Sequence, residues 1–307
     1  MHISGISIAE AKGSPRKNLE QAQITPIGLF GDRHAGSGTR QVTLMGEATA
    51  RAFAEAVGQA FAPGLAKENL LITGLEDCRL HAMDCLRVGH AELEITRLGK
   101  LFSASGESLC PPNSECGISD YGVFARVAHP GFIQVGDAVT HTSRTLRALV
   151  LTLSDRASSG GYEDLSGTRA VNMIEAFGVE HRWRVQAERR VLPDDAELLE
   201  SALVQARESA LDLVVTTGGT GIGPRDITAQ VVTDHADRLI PGVMEHVRLK
   251  YGQERPLALL SASVAAIFGR TLVFALPGSP RAVEEYLVEI LPLLEHIILV
   301  TRGLEAH

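Results

Sequence analysis

The sequence is poor in the residues that mark metal-binding and secreted proteins. It has four cysteines in 307 residues, with no C-x-x-C pair and no histidine cluster that would complete a zinc pattern. Together with the lack of an apolar signal segment, this predicts a reducing, cytoplasmic location. No apolar run approaches the ~20 residues that a membrane helix needs, so no membrane partner is expected.

Positive charge is scarce as well. The chain carries 37 acidic and 29 basic residues, a formal net charge of -8, and the two signs are interspersed. A protein that follows nucleic-acid phosphates needs a basic surface, so a nucleic-acid partner is not expected. A local basic pocket for a small anion remains compatible with this charge.

The length of 307 residues and the apolar content of 45% favour two domains, each large enough to bury its own core. Residues 1–145 consist of short, partly alternating segments separated by glycine and proline turns, which predicts a mainly-β barrel. Strands are predicted at residues 3–8, 41–44, 86–88, 91–96 and 138–141, and a helix at residues 47–61.

In residues 146–307 predicted strands and helices alternate. This order is typical of an α/β three-layer domain, in which helices cover both faces of a mostly parallel sheet. Asp194 is predicted to cap a helix, with Glu197 completing a capping box, and Ser279 is predicted to cap the closing helix. Strands are predicted at residues 148–154, 184–191, 213–217 and 271–276, and helices at 167–177, 194–209 and 281–299.

The most distinctive segment is TTGGTGIGPRDIT, residues 216–228, which directly follows a predicted buried strand. In open α/β sheets ligands bind at the carboxyl ends of strands, and glycines there let backbone N–H groups approach an anion. The segment has neither the lysine of a P-loop nor G-x-G-x-x-G spacing, and a plain turn is the alternative. Arg225, a cation for phosphate, and Asp226, an oxygen ligand for Mg²⁺, favour a phosphoryl-transfer site.

This segment resembles the signature of the MogA/MoaB family of molybdopterin adenylyltransferases. Three more segments fit the family in order and spacing: TLSDRASSGGYEDLSG at 152–167, VLPD at 191–194 and LPGSP at 276–280. The resemblance implies that the terminal phosphate of molybdopterin attacks the α-phosphorus of MgATP, giving adenylylated molybdopterin and pyrophosphate. Such a step needs positioning and charge neutralisation more than covalent help.

The resemblance also assigns roles to residues. It implies that Asp226 binds Mg²⁺ and acts in catalysis with Asp194, for which an ordinary helix cap is the alternative. Asp155 is expected to touch the pterin or to form a turn, and Ser279 to bind an anion or only to cap a helix. The residues expected to bind ATP or molybdopterin are Gly218, Gly219, Thr220, Gly221, Arg225, Ser154, Asp155, Ser261, Pro277, Gly278 and Ser279.

Two departures from the family pattern keep other functions open. After Thr228 the family usually continues Pro-Glu, where this chain has Ala229 and Gln230, and the family's Leu-Ser-Arg reads here with Ala262 in place of arginine. An acidic residue and a phosphate contact are thereby missing. A second hypothesis is therefore a non-catalytic carrier of molybdopterin or the molybdenum cofactor, and a third is a nucleotide-processing relative with a pterin-free substrate.

Residues 1–141 resemble a MOSC domain, a β-rich module linked to sulfur carriage and molybdenum-cofactor handling. The resemblance rests on GLFGDRHAG at 28–36, RQVTL at 40–44, ENL at 68–70 and CGISDYGVFARV at 116–127. It leaves open whether a charged group at its start binds an anionic cofactor or is a solvated loop; that group is Asp32, Arg33, His34 and Arg40.

The resemblance implies a functional cysteine at Cys116. Its thiolate would carry sulfur as a persulfide or bind molybdenum, and a plain buried cysteine is the alternative. Cys110 is a candidate partner thiol, whereas Cys78 and Cys85 are expected to be structural.

Both resemblances point to the same pathway and predict a division of labour. The C-terminal domain would adenylylate molybdopterin, and the N-terminal domain would bind, carry or sulfurate the metal-bearing cofactor. Other molybdenum-cofactor assembly proteins are the implied partners, and the resemblance suggests a homotrimer formed through the C-terminal domain.

Overall fold

The computed structural model describes residues 1–11, 14–99, 121–181 and 183–304. The chain divides into two compact units between Arg144 and Thr145. Within the described ranges, no helix combines the length and apolar character needed to cross a bilayer.

Short strands dominate the N-terminal unit, and many pair with strands that are distant in sequence. The strands are β1 (His2–Ile8), β2 (Lys17–Leu19), β3 (Gln21–Thr25), β4 (Gly28–Leu29), β5 (Val42–Gly46), β6 (Leu70–Thr73), β7 (Cys85–Val88), β8 (Ala91–Leu98), β9 (Val123–His129), β10 (Gly131–Gln134) and β11 (Val139–Thr142). Helix α1 (Glu47–Ala56) follows β5, and a 3₁₀ turn spans Leu75–Asp77.

These strands form two sheets. The first has the order β11-β7-β8-β9-β5-β6-β1-β2, and the second has the order β10-β3-β4. The pairs are antiparallel except for β5 with β6, and one bridge joins His2 to Ala138. The predicted β-rich unit is therefore confirmed. These strand pairs do not establish that the sheets close into a barrel, so the barrel stays a prediction.

The core of this unit follows the alternation of a strand with one buried face. Ala91, Leu93 and Ile95 of β8 are buried and join one apolar cluster with residues of β1, β5, β6 and β7. The predicted helix 47–61 is too long, because α1 ends at Ala56 and Gly58 adopts the left-handed conformation with φ 66°. A glycine there ends a helix without the strain that a side chain would add.

A buried carboxylate joins distant parts of this unit. The side chain of Asp84 is 1% exposed and accepts hydrogen bonds from His141 Nε2 at 2.6 Å and from the amides of His81 at 3.0 Å and Arg144 at 2.8 Å. Burial alone would raise the pKa of Asp84. Hydrogen bonds from His81, Arg144 and His141 outweigh burial and hold that pKa below its ordinary value.

The lowered pKa fixes the sign of a pH dependence. The stability that ionised Asp84 contributes is fully present above the unfolded-state pKa, roughly 3.9, and is lost as the pH falls through the lower folded-state pKa. We expect Asp84→Asn to lower the free energy of unfolding by about 1–3 kcal/mol at neutral pH, and this deficit to shrink toward about pH 2. Urea unfolding at both pH values measures it, with the exposed Asp77→Asn as control. A deficit that does not change with pH would contradict the assignment.

The C-terminal unit alternates strands and helices as predicted up to its fifth helix, after which two strands follow each other directly. Its elements are β12 (Thr145–Leu153), α2 (Asp155–Ser158), α3 (Leu165–Glu180), β13 (Arg184–Leu192), α4 (Ala196–Glu208), β14 (Leu213–Thr217), α5 (Thr228–His235), β15 (Arg238–Leu239), α6 (Pro241–Gly252), a 3₁₀ turn (Pro256–Leu260), β16 (Val264–Phe268), β17 (Thr271–Leu276) and α7 (Pro280–Thr301).

One six-stranded sheet organises this unit, in the order β13-β12-β14-β17-β16-β15. The first four strands are parallel, β16 is antiparallel to β17, and β15 is antiparallel to β16, so the sheet is mixed. The cause is the connection between β16 and β17, which consists of Gly269 and Arg270. A two-residue connection makes a hairpin and cannot return the chain for a parallel strand.

Helices pack on the sheet in two pairs. Leu199 and Leu203 of α4 and Val232 of α5 share an apolar cluster with Leu149 and Val214 of the sheet. Helices α3 and α7 contact each other and the strands, and their buried residues lie outside that cluster. Because side chains alternate between the faces of a strand, this is the arrangement of an α/β layered domain with a mixed sheet.

Candidate active site

Four parallel strands end at the same edge of the C-terminal sheet. Their register pairs Leu153 with Leu192, Thr152 with Thr217, and Thr217 with Leu276. The loops that follow these strands carry most of the predicted site residues. This edge is where open α/β sheets bind ligands.

The loop after β14 can be built only with glycine. Gly218 has φ 100° and Gly219 has φ 63°. A Cβ atom would lie 2.4 Å from the carbonyl oxygen of Leu153 at the first position and 2.3 Å from Oγ1 of Thr228 at the second. At Gly278, after β17, a Cβ would lie 3.1 Å from the Cα atom of Gly218. The glycines therefore allow two backbone loops to pass close together.

The same loop leaves backbone donors available. The amide of Gly218 donates to the carbonyl of Leu276 at 3.0 Å. The next three amides, those of Gly219, Thr220 and Gly221, donate to no residue in the described part of the chain. Successive unpaired amides in a turn form a concave site for an anion.

Asp226 lies beside these amides. Its Oδ2 accepts a hydrogen bond from the amide of Gly223 at 2.8 Å, while its Oδ1 accepts none from the described residues. A Cβ at Gly221 would be 2.6 Å from Oδ2, so this glycine allows the carboxylate to approach the loop. One carboxylate with a free oxygen fits Mg²⁺ bound jointly by protein and phosphate oxygens. Among the described residues, no group of three His, Cys, Asp or Glu side chains is placed to hold a metal ion by itself.

A cavity of about 750 Å³ opens against the loop. Eight of the predicted site residues line it: Gly218, Gly219, Thr220, Gly221, Asp226, Ser261, Pro277 and Gly278. The opposite wall is formed by the end of α6, the 3₁₀ turn and the first turns of α7. A hydrogen bond of 2.8 Å from the amide of Ala262 to the carbonyl of Thr220 ties that wall to the glycine loop beside Ser261.

Three other predicted residues lie at the same sheet edge but do not line this cavity. The amide of Asp194 donates to Asp155 Oδ1 at 3.0 Å, and the amide of Asp155 reaches Asp194 Oδ2 at 3.4 Å. Ser154 caps the short helix α2 through the amide of Ala157. This pair of carboxylates joins the ends of β12 and β13.

Two further predicted binding residues are also outside the cavity lining. Arg225 is exposed. Ser279 accepts a hydrogen bond from the amide of Ala282 at 3.2 Å, so its predicted helix-capping role is confirmed. Anion binding by either residue stays a prediction.

The predicted capping role of Asp194 is wrong. Helix α4 begins at Ala196, and its cap is Asp195, which accepts a hydrogen bond from the amide of Leu198 at 3.0 Å. Adjacent aspartates satisfy the same sequence pattern, and the backbone selects the second. The alternative explanation for Asp194 is thus removed, and among the described residues its carboxylate accepts only the long hydrogen bond from the amide of Asp155.

This assignment predicts that the two aspartates have separable roles. We expect Asp195→Ala to lower the free energy of unfolding by about 1 kcal/mol with no change in turnover. Asp194→Ala is expected to do the opposite, keeping stability and reducing turnover. Denaturant unfolding and product formation measured on both variants compare the two, and a larger stability loss for Asp194→Ala would overturn the assignment.

Sequence reasoning missed the network behind the glycine loop. Asp164, whose side chain is 4% exposed, caps α3 by accepting from the amide of Gly167 at 2.8 Å. It also accepts from Thr152 Oγ1 at 2.9 Å, and Thr152 Oγ1 accepts from Thr217 Oγ1 at 3.2 Å. Ser166, two residues on, donates to the carbonyl of Gly278 at 2.6 Å. The start of α3 therefore contacts the loop after β17 directly and is linked through Thr152 to Thr217, the last residue of β14.

In the N-terminal unit, the predicted functional thiol Cys116 and its candidate partner Cys110 lie outside the described residues. Cys78 and Cys85 are partly buried, and burial raises the pKa of both thiols, which disfavours reactive thiolates.

Asp32 has a structural place in that unit. Burial favours its neutral form, but hydrogen bonds from the amides of Ala9 and His34 and from Asn69, with nearby Arg16, hold the pKa of Asp32 below its ordinary value. A buried carboxylate that is already satisfied by these donors is unsuited to binding an anion. For Asp32, the hypothesis of anion binding is therefore not supported by the geometry.

Both units of the chain contain segments that match known protein families. Residues 149–296 match the family described as a probable molybdopterin binding domain, and residues 31–99 match the MOSC domain. The molybdopterin adenylyltransferase of Helicobacter pylori (strain J99) is 33% identical over 156 residues, which cover 50% of this chain and 87% of that protein. The chain belongs to the molybdopterin adenylyltransferase family.

Two other relatives match the same half of the chain. The molybdopterin adenylyltransferase of Escherichia coli K12 is 35% identical over 144 residues, covering 47% of this chain and 72% of that protein. The molybdenum cofactor biosynthesis bifunctional protein of Synechococcus elongatus is 33% identical over 156 residues, covering 51% of this chain and 47% of that protein. Both family resemblances seen in the sequence are confirmed, and this member of the adenylyltransferase family is an enzyme of molybdenum cofactor biosynthesis.

Proposed function

We propose that the C-terminal domain adenylylates molybdopterin with MgATP. In this reaction a phosphate oxygen of molybdopterin forms a bond to the α-phosphorus of ATP. The bond between that phosphorus and the oxygen bridging the α- and β-phosphates breaks, and pyrophosphate leaves. The observation that carries the proposal is the run of amides at Gly219–Gly221, which donate to no described residue and lie with Asp226 on the wall of a cavity of about 750 Å³.

Each part of the loop has a task in such a transfer. The three amides bind phosphate oxygens and favour the charge that develops on them. Asp226 would hold Mg²⁺, and the hydrogen bond from the amide of Gly223 to its Oδ2 orients the carboxylate. The chemistry that Mg²⁺ would supply there is neutralisation of phosphate charge.

Asp155 and Asp194 form a second polar group at the ligand edge. Since Asp194 does not cap α4, its carboxylate is available to a substrate hydroxyl or amino group. We propose that Asp194 acts with Asp226 in catalysis, and that Ser154 and Asp155 bind the pterin end of the substrate. Ser261, Pro277 and Gly278 line the same cavity, and we propose that they contact the nucleotide or the pterin.

Incubation of the purified full-length chain with molybdopterin, ATP and Mg²⁺ tests the proposal. We expect adenylylated pterin and pyrophosphate in equal amounts, and neither product when Mg²⁺ is chelated. Molybdopterin binding without product would favour the non-catalytic carrier, which Ala229, Gln230 and Ala262 keep in consideration. ATP turnover without pterin binding would favour a nucleotide-processing enzyme with another substrate.

The N-terminal domain is proposed to bind or sulfurate the molybdenum cofactor, on the strength of its MOSC match over residues 31–99. Sulfur carriage requires that a donor place a sulfane sulfur on the Cys116 thiolate as a persulfide. With cysteine and a cysteine desulfurase as donor, mass spectrometry of the full chain should find one added sulfur on Cys116 and none in Cys116→Ser. Molybdate retained by the wild type alone, without added sulfur, would assign metal binding instead.

We also propose that the chain works in the cytoplasm with other molybdenum-cofactor assembly proteins, as a homotrimer formed through the C-terminal domain. Exposed apolar side chains on α6 and the following turn support self-association, since such patches mark interfaces. They are Leu249, Leu257, Leu259 and Leu260. Sedimentation equilibrium measures the assembly, and a monomer at all concentrations would rule out the trimer.

A further inference from the structure

The charges around the cavity are unequal. Three acidic side chains line it, Asp226, Glu254 and Glu285, whereas Arg255 is the single lysine or arginine among the described lining residues. A cavity that binds polyphosphate needs positive charge. The exposed Arg225 predicted for this purpose does not line the cavity.

Arg255 is held firmly at this position. Its backbone amide donates to the carbonyl of Tyr251 at 3.0 Å, and its carbonyl accepts from the amide of Ala258 at 2.9 Å. Its Nη2 forms an ion pair with Glu285 Oε2. The backbone hydrogen bonds therefore fix the main chain at Arg255, and the ion pair with Glu285 positions its guanidinium.

The ion pair with Glu285 does not use all of the positive charge and N–H donors of Arg255. Glu285 also pairs with Arg281, whose Nε lies 2.9 Å from Oε1, so two arginines share one carboxylate. The side chain of Arg255 is 37% exposed, and its buried Nε has no hydrogen-bond partner among the described residues. The exposed part of the guanidinium therefore presents a positive charge that Glu285, shared with Arg281, does not fully neutralise.

We propose that Arg255 is a phosphate-binding residue of this cavity, positioned by Glu285, and that it faces the polyphosphate from the wall opposite the glycine loop. The inference rests on the proposed function, because it takes the ligand to be a nucleotide polyphosphate. It adds a cation that the loop motif does not contain. A planar guanidinium can give a phosphate two parallel hydrogen bonds.

Arg281 provides a matched control, because it pairs with the same carboxylate but does not line the cavity. Inorganic pyrophosphate with Mg²⁺ is the probe, and calorimetry on the full-length chain measures its binding. We expect Arg255→Ala to weaken binding about 10-fold or more, Arg255→Lys to weaken it less, and Arg281→Ala to change it less than about twofold.

Thermal unfolding of each variant checks the fold. If Arg255→Ala is destabilised, Arg255→Gln keeps a donor for Glu285 without the charge and should lose pyrophosphate binding to the same degree. Unchanged pyrophosphate binding in either variant, or equal losses in Arg255→Ala and Arg281→Ala, would overturn the proposal.

The two proposals fail in different ways. If the wild type forms no adenylylated pterin but its pyrophosphate binding still depends on Arg255, the phosphate site is supported and the proposed adenylyl transfer is contradicted. If the wild type forms product and Arg255→Ala leaves the KM for ATP unchanged, adenylyl transfer is supported and the role proposed for Arg255 is contradicted.

Discussion

Asp226→Asn is expected to lower the rate of adenylyl transfer by about 100-fold or more, with little change in stability. The amide oxygen of asparagine can still accept the hydrogen bond from Gly223, so the turn is kept. The negative charge that holds the metal is removed, and a neutral amide is a much weaker ligand for Mg²⁺. Initial rates of pyrophosphate release at saturating ATP and molybdopterin measure the effect.

A metal titration separates this loss from a general disturbance of the loop. Raising Mg²⁺ should recover part of the rate in Asp226→Asn if the defect is in metal binding. Asp234→Asn is the control, since that exposed acid on α5 pairs with Gln230 and does not line the cavity. A wild-type rate in Asp226→Asn would remove this residue from the mechanism.

The glycine loop could be predicted because its sequence is dictated locally. The buried strand Leu213–Thr217 is rich in β-branched residues and is bounded by Asp212 and Gly218. Its predicted limits are those of the structure. The glycines that follow are required by positive φ values and by close backbone contacts, which no other residue meets without strain.

Strand β16 was missed although its signal is present. Val264–Phe268 is an apolar run that ends at Gly269-Arg270, a two-residue hairpin connection. The strict alternation of strands and helices expected for a parallel sheet left no place for two adjacent strands. Taking that hairpin into account predicts the antiparallel edge of the sheet.

The role proposed for Arg255 and the network of Asp164 had no local signal. Arg255 lies beyond α6 in sequence and contacts Glu285, 30 residues further on. Asp164 and Thr152 are brought to Thr217 by the pairing of β12 with β14. Only tertiary packing joins these residues, so sequence motifs identify the loop but not the side chains that support it.

Asp164→Ala is expected to have the largest effect on the fold around the site. It removes a buried acceptor from Thr152, from the amide of Gly167 and from Arg189, whose Nη1 lies 3.0 Å from Oδ2. Buried donors without partners cost about 1–3 kcal/mol each, so we expect the free energy of unfolding to fall by about 2–4 kcal/mol. Chemical denaturation measures it, with the neighbouring exposed Glu163→Ala as control.

The milder Thr152→Val tests whether this network also positions the glycine loop. The change keeps the shape of the side chain and removes only the link from Asp164 to Thr217. A positioning role predicts that the KM for ATP rises several-fold while the free energy of unfolding falls by only about 1 kcal/mol. If stability falls and the KM does not change, the network holds the sheet to α3 but does not position the loop. A raised KM would show that β12, which pairs with the strand that precedes the glycine loop, helps to set the geometry of the loop amides.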